Sequence, residues 1–441
     1  MLVLILSIPY FIFIYYIYRR GYSWSKACIG KNDAKPLKGG LAFVFLFMAL
    51  SPAIAFFLPA GNARHVMNIF ANFNLAVFIY LGGIMLIGDL IRIIAVKTGL
   101  VKNKIQESRR VFAAAGGMII VLVVTTCIYG GIHSKDIRLD KRTAVIHKEL
   151  SCEAEQSEKP KENDQNMTVA VVSDLHLAYN TGLKEVRSVV KYINEMDADL
   201  VCMPGDFFTN VYDDVREPEA IISELRKIKS RYGVYGCWGN HDVDEPILAG
   251  FTFSAFMEGE PVHDPEMVSF LKKANIKMLE DEYVLIDDSF YVAGRLDAEK
   301  PGVSTGNADQ EIKRKPLSDV LKGIDKTKPI IMIDHEPREL PETARAGVDL
   351  DISGHTHNGQ FFPLNLTQYF IWPNPYGIQL YSKNGEEIDA AKTAKGKYGD
   401  PETEHIDTMT SFVTSGAGVY GPNMRVGTDS EVVRLEVTFR K

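Results

Sequence analysis

The sequence predicts an N-terminal α-helical membrane domain followed by an α/β layered domain. Three observations carry this. Apolar runs crowd into the first third of the chain, a charged stretch from Ser151 to Gln165 interrupts the pattern, and from Met167 onward short β-rich runs alternate with amphipathic segments. With 46% hydrophobic and 24% charged residues in a chain of 441, the two classes must be segregated along the sequence.

Four apolar runs, Leu2 to Tyr18, Leu41 to Leu58, Leu75 to Val96 and Val111 to Ile128, approach or exceed the roughly 18 to 20 residues that cross a bilayer. They predict four transmembrane helices within residues 1–130. The first run has no basic residue ahead of it and no small-x-small cleavage site behind it, so it reads as a retained anchor rather than a signal peptide. Lys and Arg near helix ends stay on the cytoplasmic side. The first loop carries Arg19, Arg20, Lys26, Lys31 and Lys35, the second only Arg64 and His65, and the third Lys97, Lys102, Lys104, Arg109 and Arg110. This alternation predicts a multi-pass integral membrane protein with everything after Tyr129 on the extracytoplasmic side. Asp89 and Arg92 are spaced for an i,i+3 ion pair, and Ala113 to Gly117 for close helix packing.

Residues 131–166 read as a linker leading into a second domain at 167–441, because the Glu, Lys, Ser and Asn content of Ser151 to Gln165 cannot bury an apolar face. In that domain strands are expected at Thr168 to Val172, Leu200 to Met203, Val234 to Trp238, Tyr283 to Ile286, Phe290 to Ala293, Ile330 to Ile333, Leu350 to Ile352, Ser411 to Thr414 and Val432 to Thr438. Helices are expected at Leu183 to Met196, Glu219 to Ser230 and Pro265 to Ala274, with surface insertions at Asp297 to Lys315 and Ser382 to Asp407. A net charge of -7 offers no broad cationic surface, which excludes nucleic acid as the main partner. Five scattered cysteines without CxxC spacing exclude a disulfide framework and a zinc knuckle.

The chemistry lies where the strands end. The first expected strand runs into Asp174-Leu175-His176, the second into Gly205-Asp206, and the third into Gly239-Asn240-His241-Asp242. Two later strands run into Asp334-His335 and Gly354-His355-Thr356-His357. Loops after strand carboxyl ends converge on one crevice in open α/β sheets, so five strands that each deliver acids, amides or imidazoles point to a shared site. Carboxylate, carboxamide and imidazole without thiolate suit Mn, Fe, Co or Zn rather than a structural zinc.

These ordered blocks, DxH, GD, GNH[DE], H and GHxH, resemble those of the calcineurin-like metallophosphoesterase family, in its branch with N-terminal membrane helices. The resemblance implies a β-sandwich flanked by helices and two divalent metal ions. Asp174, His176, Asp206 and His357 would hold one ion, and Asp206, Asn240, His335 and His355 the other, with Asp206 bridging. It implies that His241 is no ligand but serves the leaving group or the phosphoryl charge. The activity implied is hydrolysis of a phosphate ester or anhydride by a metal-bridged hydroxide. In this sequence Asn358 stands where that branch usually has a second glycine, and Thr209 where purple acid phosphatases have a tyrosine ligand.

Arg425 is a candidate for binding substrate phosphate through its guanidinium fork. The aromatic stretch Phe361 to Tyr376 reads either as packing beneath an insertion or as a lip that meets lipid. Membrane anchoring makes the bilayer a partner and a phosphorylated, lipid-linked or envelope molecule the expected substrate. A non-catalytic metal-binding scaffold on a membrane anchor is the alternative.

The predicted topology has a direct test. A reporter active only in the cytoplasm, fused after Lys441, is expected to be silent in intact cells; an active reporter would show that the charge rule fails for this chain.

Overall fold

The computed structural model describes residues 2–30, 35–100, 108–150, 164–209, 211–248, 251–252, 262–302, 313–388 and 408–440. They form two compact units, one built chiefly from residues 1–132 and one from His133 onward.

The first unit contains helices α1 (Leu2–Ile29), α2 (Lys35–Phe57), α3 (Asn62–Lys97) and α4 (Arg109–His133). Among the described residues three segments, Pro36–Phe57, Asn62–Lys97 and Arg109–His133, are long and apolar enough to cross a membrane. Three of the four expected spans fall on these segments; the other, Leu2 to Tyr18, lies in α1, where the side chains of residues 2–6 fall outside the described set. Exposed Phe43, Leu90, Met118 and Val121 give these helices an apolar exterior, as lipid contact requires.

Asp89 is held from a neighbouring helix. It accepts hydrogen bonds from Arg20 Nη2 at 2.6 Å and from the Tyr16 hydroxyl at 2.8 Å. A cation and a phenol from α1 thus meet the carboxylate together. Close packing at Ala113 to Gly117 is observed. The Trp24 indole donates to Ala113 O at 2.8 Å, and a Cβ on Gly116 would lie 2.0 Å from that ring.

The second unit is a sandwich of two sheets. The first contains β1 (Ile137–Ile146), β2 (Asp164–Val171), β3 (Leu200–Pro204), β4 (Val234–Cys237), β5 (Lys277–Met278) and a last strand, Ser430–Arg440. The second contains β6 (Glu282–Ile286), β7 (Phe290–Gly294), β8 (Ile330–Ile333), β9 (Leu350–Ser353), β10 (Gly377–Ser382), β11 (Glu387–Ile388) and β12 (Thr408–Val413). With Ser430–Arg440 as β13, the orders are β1-β13-β2-β3-β4-β5 and β11-β10-β12-β9-β8-β7-β6. Val169, Cys202, Ile331, Ile333, Ile352 and Phe412 are fully buried in the apolar layer the two sheets share. Helices α5 (Leu183–Glu195), α6 (Pro218–Leu225) and α7 (Pro265–Lys273) pack their apolar faces into a second core, and α8 (Leu317–Val320) and α9 (Leu340–Ala346) into a third.

The strands that matter for the site, β2, β3 and β4 in one sheet and β8 and β9 in the other, are parallel to their neighbours in that set. Each set therefore ends at one edge of its sheet.

The expected linker and domain entry at 131–166 contains a strand of the second unit. Residues 137–146 form β1, paired in parallel with β13 from Ile137↔Ser430 to Ile146↔Phe439. Only Ile137, Ala144 and Ile146 of this edge strand are buried, so charged Asp140, Lys141 and Arg142 mask its alternation. The insertion expected at Ser382 to Asp407 begins in strand structure, since Glu387–Ile388 pairs with β10. Residues 303–312 and 389–407 of the two expected insertions lie outside the described residues.

Candidate metal centre

Five loops at the strand ends bring the expected residues together. Past β2, the Asp174 amide donates to Gly205 O at 3.1 Å and the His176 amide to Asp206 O at 3.0 Å, so the first two loops run side by side. Past β4, Asp242 is fully buried and accepts from the amides of Phe208 at 2.9 Å and Gly239 at 2.8 Å. The Asn240 loop is thereby fastened to the Asp206 loop. Past β9, the His355 amide donates to Asp174 Oδ1 at 3.1 Å, which closes the ring of loops.

The approach is so close that side chains are excluded at specific points. A Cβ at Gly239 would lie 2.2 Å from Asp206 Oδ1, and one at Gly354 would lie 2.4 Å from Asp174 Oδ2. The ligand residues themselves take unusual backbone conformations. Asp174, His176, Asp206, His355 and His357 all have φ between 48° and 66°. Positive φ is uncommon outside glycine, and side chains held there at strand ends mark positions where geometry is imposed for function. Asn358, at φ 50°, meets the same requirement with a residue that tolerates it, so the loop accepts asparagine in place of glycine.

Two groups of donors result. Asp174, His176 and His357 form one, and Asp206, His335 and His355 the other. In the first, His176 Nε2 faces His357 Nε2 at 3.0 Å, and His357 Nε2 is 3.5 Å from Asp174 Oδ1. In the second, Asn240 Oδ1 lies 3.1 Å from both His335 Nε2 and His355 Nδ1. Asp206 Oδ2 is 3.5 Å from His176 Nε2 and 3.2 Å from His335 Nε2, so one carboxylate lies beside both groups.

These donor spacings fit metal coordination. Ligand bonds of about 2.0–2.2 Å in tetrahedral or octahedral geometry place neighbouring donors roughly 2.9–3.5 Å apart. Orientation is also set from behind. His335 Nδ1 is 2.8 Å from Pro204 O, which fixes Nδ1 as the donor and leaves Nε2 facing inward. Thr209 Oγ1 lies 3.4 Å from His176 Nδ1 and supports that ring.

Burial disfavours charge on the donor rings, and at His335 the Asp206 and Asp174 carboxylates overcome it and hold the imidazole well above its usual range. Burial lowers the His176 pKa to about 4 and holds His355 and His357 well below the usual imidazole range, so three rings are neutral, as coordination needs. Burial raises Asp174 to about 7. Burial also disfavours the charge on Asp206, but the nearby His335 and His241 overcome it and hold this carboxyl well below its ordinary value. The Asp206 carboxylate is thus the buried anion that a cation would satisfy.

His241 stands beside the donors. Its amide donates to Asp206 Oδ1 at 2.9 Å, and its ring stacks on Tyr420 with centroids 4.1 Å apart. Burial lowers its pKa to about 3. Tyr420 is itself located by Gln360, which accepts from the Tyr420 amide and donates to its carbonyl, each at 2.9 Å. Sequence reasoning misses Tyr420; the only signal is its place in the glycine-rich segment Gly416 to Gly421.

Arg425 is placed otherwise than expected. It is fully buried, and its guanidinium donates to the carbonyls of His357, Ser415, Gly416 and Gly418. A cation enclosed by carbonyls holds the His357 loop. Burial lowers its pKa to about 10.

Residues 167–359 match the family model described as calcineurin-like phosphoesterase, and the chain carries a calcineurin-like metallophosphoesterase domain. A transmembrane protein with metallophosphoesterase domain from Danio rerio is 27% identical over 282 residues, covering 63% of this chain and 54% of the relative. Its namesake from Bos taurus is 25% identical over 273 residues, covering 61% and 52%. The chain spans about half the length of these curated relatives. The crystal structure of a 5'-nucleotidase precursor from Thermus thermophilus aligns with a TM-score of 0.34 and 13% identity, over 62% of this chain and 55% of that one.

The shared position of Asp206 yields a test. Asp206→Asn is expected to weaken binding of metal at both groups and to abolish activity, because a neutral carboxamide replaces two anionic oxygens. Metal analysis of the purified variant checks this, and unchanged metal content at unchanged affinity would show that Asp206 does not serve both groups.

Proposed function

We propose that this chain is a membrane-anchored phosphoesterase with a dinuclear metal centre, hydrolysing a phosphate ester or anhydride on the extracytoplasmic side. The observation that carries the reading is the single carboxylate, Asp206, within 3.5 Å of imidazoles from both donor groups. Asp174, His176, His357 and Asp206 would hold one ion, and Asp206, Asn240, His335 and His355 the other. Divalent ions bound there supply Lewis acidity toward the phosphoryl oxygens and a water acidic enough to attack near neutral pH, a task open to Mn, Fe, Zn or Co.

The chain's own residues do the rest. Neutral imidazoles and buried carboxylates fix where the phosphoryl group sits. His241 is tied through its amide to Asp206 and through its ring to Tyr420. A phosphoryl anion bound beside it would favour the imidazolium over the neutral ring that burial imposes, so that His241 serves as proton donor to the leaving oxygen. The Tyr420 stack orients His241 from a side chain that is not an acid. Membrane anchoring favours phosphorylated substrates that are lipid-linked or part of the envelope.

Removing the His241 ring separates coordination from chemistry. In His241→Ala metal content is expected to stay near wild type while the rate falls roughly 10²- to 10⁴-fold, the usual worth of a positioned general acid. The loss should be largest for alkyl phosphates with basic leaving groups and smallest for an aryl phosphate that departs without a proton. Equal losses on both substrates would contradict proton donation.

A further inference from the structure

Directly after the last donor loop lies α10 (Leu364–Ile371), whose sequence LNLTQYFI contains no charged residue. None of its eight residues is buried. Leu366, Tyr369, Phe370 and Ile371 are all exposed, Phe370 to 91%, and Phe362 just ahead of the helix is exposed as well. A surface helix ordinarily buries one apolar stripe and turns charge to water. This one does neither, and contiguous exposed apolar surface of this kind marks an interaction site.

The helix is nevertheless firmly placed beside the metal donors. At its start Phe361 is buried, and a Cβ on Gly359 would lie 2.4 Å from Asn365 Cα. At its end the Trp372 ring meets the His355 ring edge-on at 4.8 Å, with the Arg338 guanidinium 5.3 Å from the indole centroid. Farther on, the Tyr376 hydroxyl accepts from Arg142 Nη2 at 3.2 Å and donates to Glu431 at 3.0 Å. Arg142 belongs to β1, and β1 begins at Ile137, just after the apolar segment that ends at His133. The intervening residues 134–136 reach at most roughly 10 Å, and Ile137 to Arg142 adds about 17 Å. The covalent tether therefore holds Arg142, the partner of Tyr376, within roughly 27 Å of the end of α4.

We propose that α10 docks into the interfacial layer of the membrane in which the chain is anchored, forming a lip through which phosphate esters of lipid headgroups reach the metal centre. Apolar faces with flanking Trp and Tyr suit that layer, where an amphipathic ring keeps one end in water. The docking stands on exposure and tether length; the choice of lipid phosphate rests on the phosphoesterase reading.

The test uses the full chain in phosphatidylcholine proteoliposomes. In Phe370→Trp, the emission added over the parent protein is expected to be blue-shifted, quenched by lipids brominated on the acyl chain, and insensitive to aqueous iodide. Emission quenched by iodide would place the helix in water. Emission quenched by neither would place it under protein, a partner or a second copy. Either result overturns the proposal. A second arm measures hydrolysis in vesicles that carry phosphatidic acid. Phe370→Ser with Ile371→Ser is expected to raise KM for the vesicle substrate at least ~10-fold, from the loss of two apolar side chains, with p-nitrophenyl phosphate turnover unchanged. Equal effects on both substrates would refute the lip. If the parent hydrolyses neither substrate, the phosphoesterase reading fails, while the fluorescence arm still decides whether α10 docks.

Discussion

Burial of the Asp206 carboxylate at the meeting of both sheets' strand ends is the constraint from which the site follows. An isolated ion in such a place would cost several kcal/mol even after relaxation, unless charge or hydrogen bonds offset it. Its partners are the His241 amide, His176 and His335, drawn from three separate loops. Removing any one of these loops would leave a buried anion without its compensation. That requirement explains why Asp242 ties the Asn240 loop to the Asp206 loop, and why Arg425 binds four carbonyls around the His357 loop. These two buried charged residues are braces for the donors rather than donors themselves.

Holding the donors in position has a conformational cost. Five of them sit at positive φ, where non-glycine residues cost on the order of 1 kcal/mol or more each. The sum is comparable with the net stability of an ordinary domain. Aspartate and histidine tolerate this region better than most residues, and two-sheet packing on a dry core supplies the rigidity. Coordination of a cation would offset the remainder, because donors held at strained backbone positions become ligands in its presence. Gly239 and Gly354 belong to the same economy of space, since each is set against a carboxylate.

The legible parts of the sequence are those whose physics is local. Ile330–Ile333 has the same bounds in sequence and structure because a parallel strand buried on both faces leaves an unbroken apolar run. The donor loops are readable because acids and imidazoles follow such runs. Edge strand β1 is not, since its exposed charges look like linker. Lys277–Met278 and Gly377–Ser382 escape notice because short or half-exposed strands carry little periodic signal. Arg425 and Tyr420 depend on contacts across the fold: whether a guanidinium meets carbonyls or substrate, and which ring stacks on His241, are set by loops distant in sequence. In Phe361 to Tyr376 composition alone does not separate packing from display, and exposure resolves it toward display.

The central claim, two metal ions that share Asp206, is tested most directly by electron paramagnetic resonance of the manganese-loaded full-length protein together with its metal content. The account predicts two equivalents of manganese and an exchange-coupled signal, because a bridging carboxylate brings the ions to roughly 3.5–4 Å. A single equivalent, or two equivalents giving only the uncoupled six-line spectrum of isolated Mn(II), would contradict it.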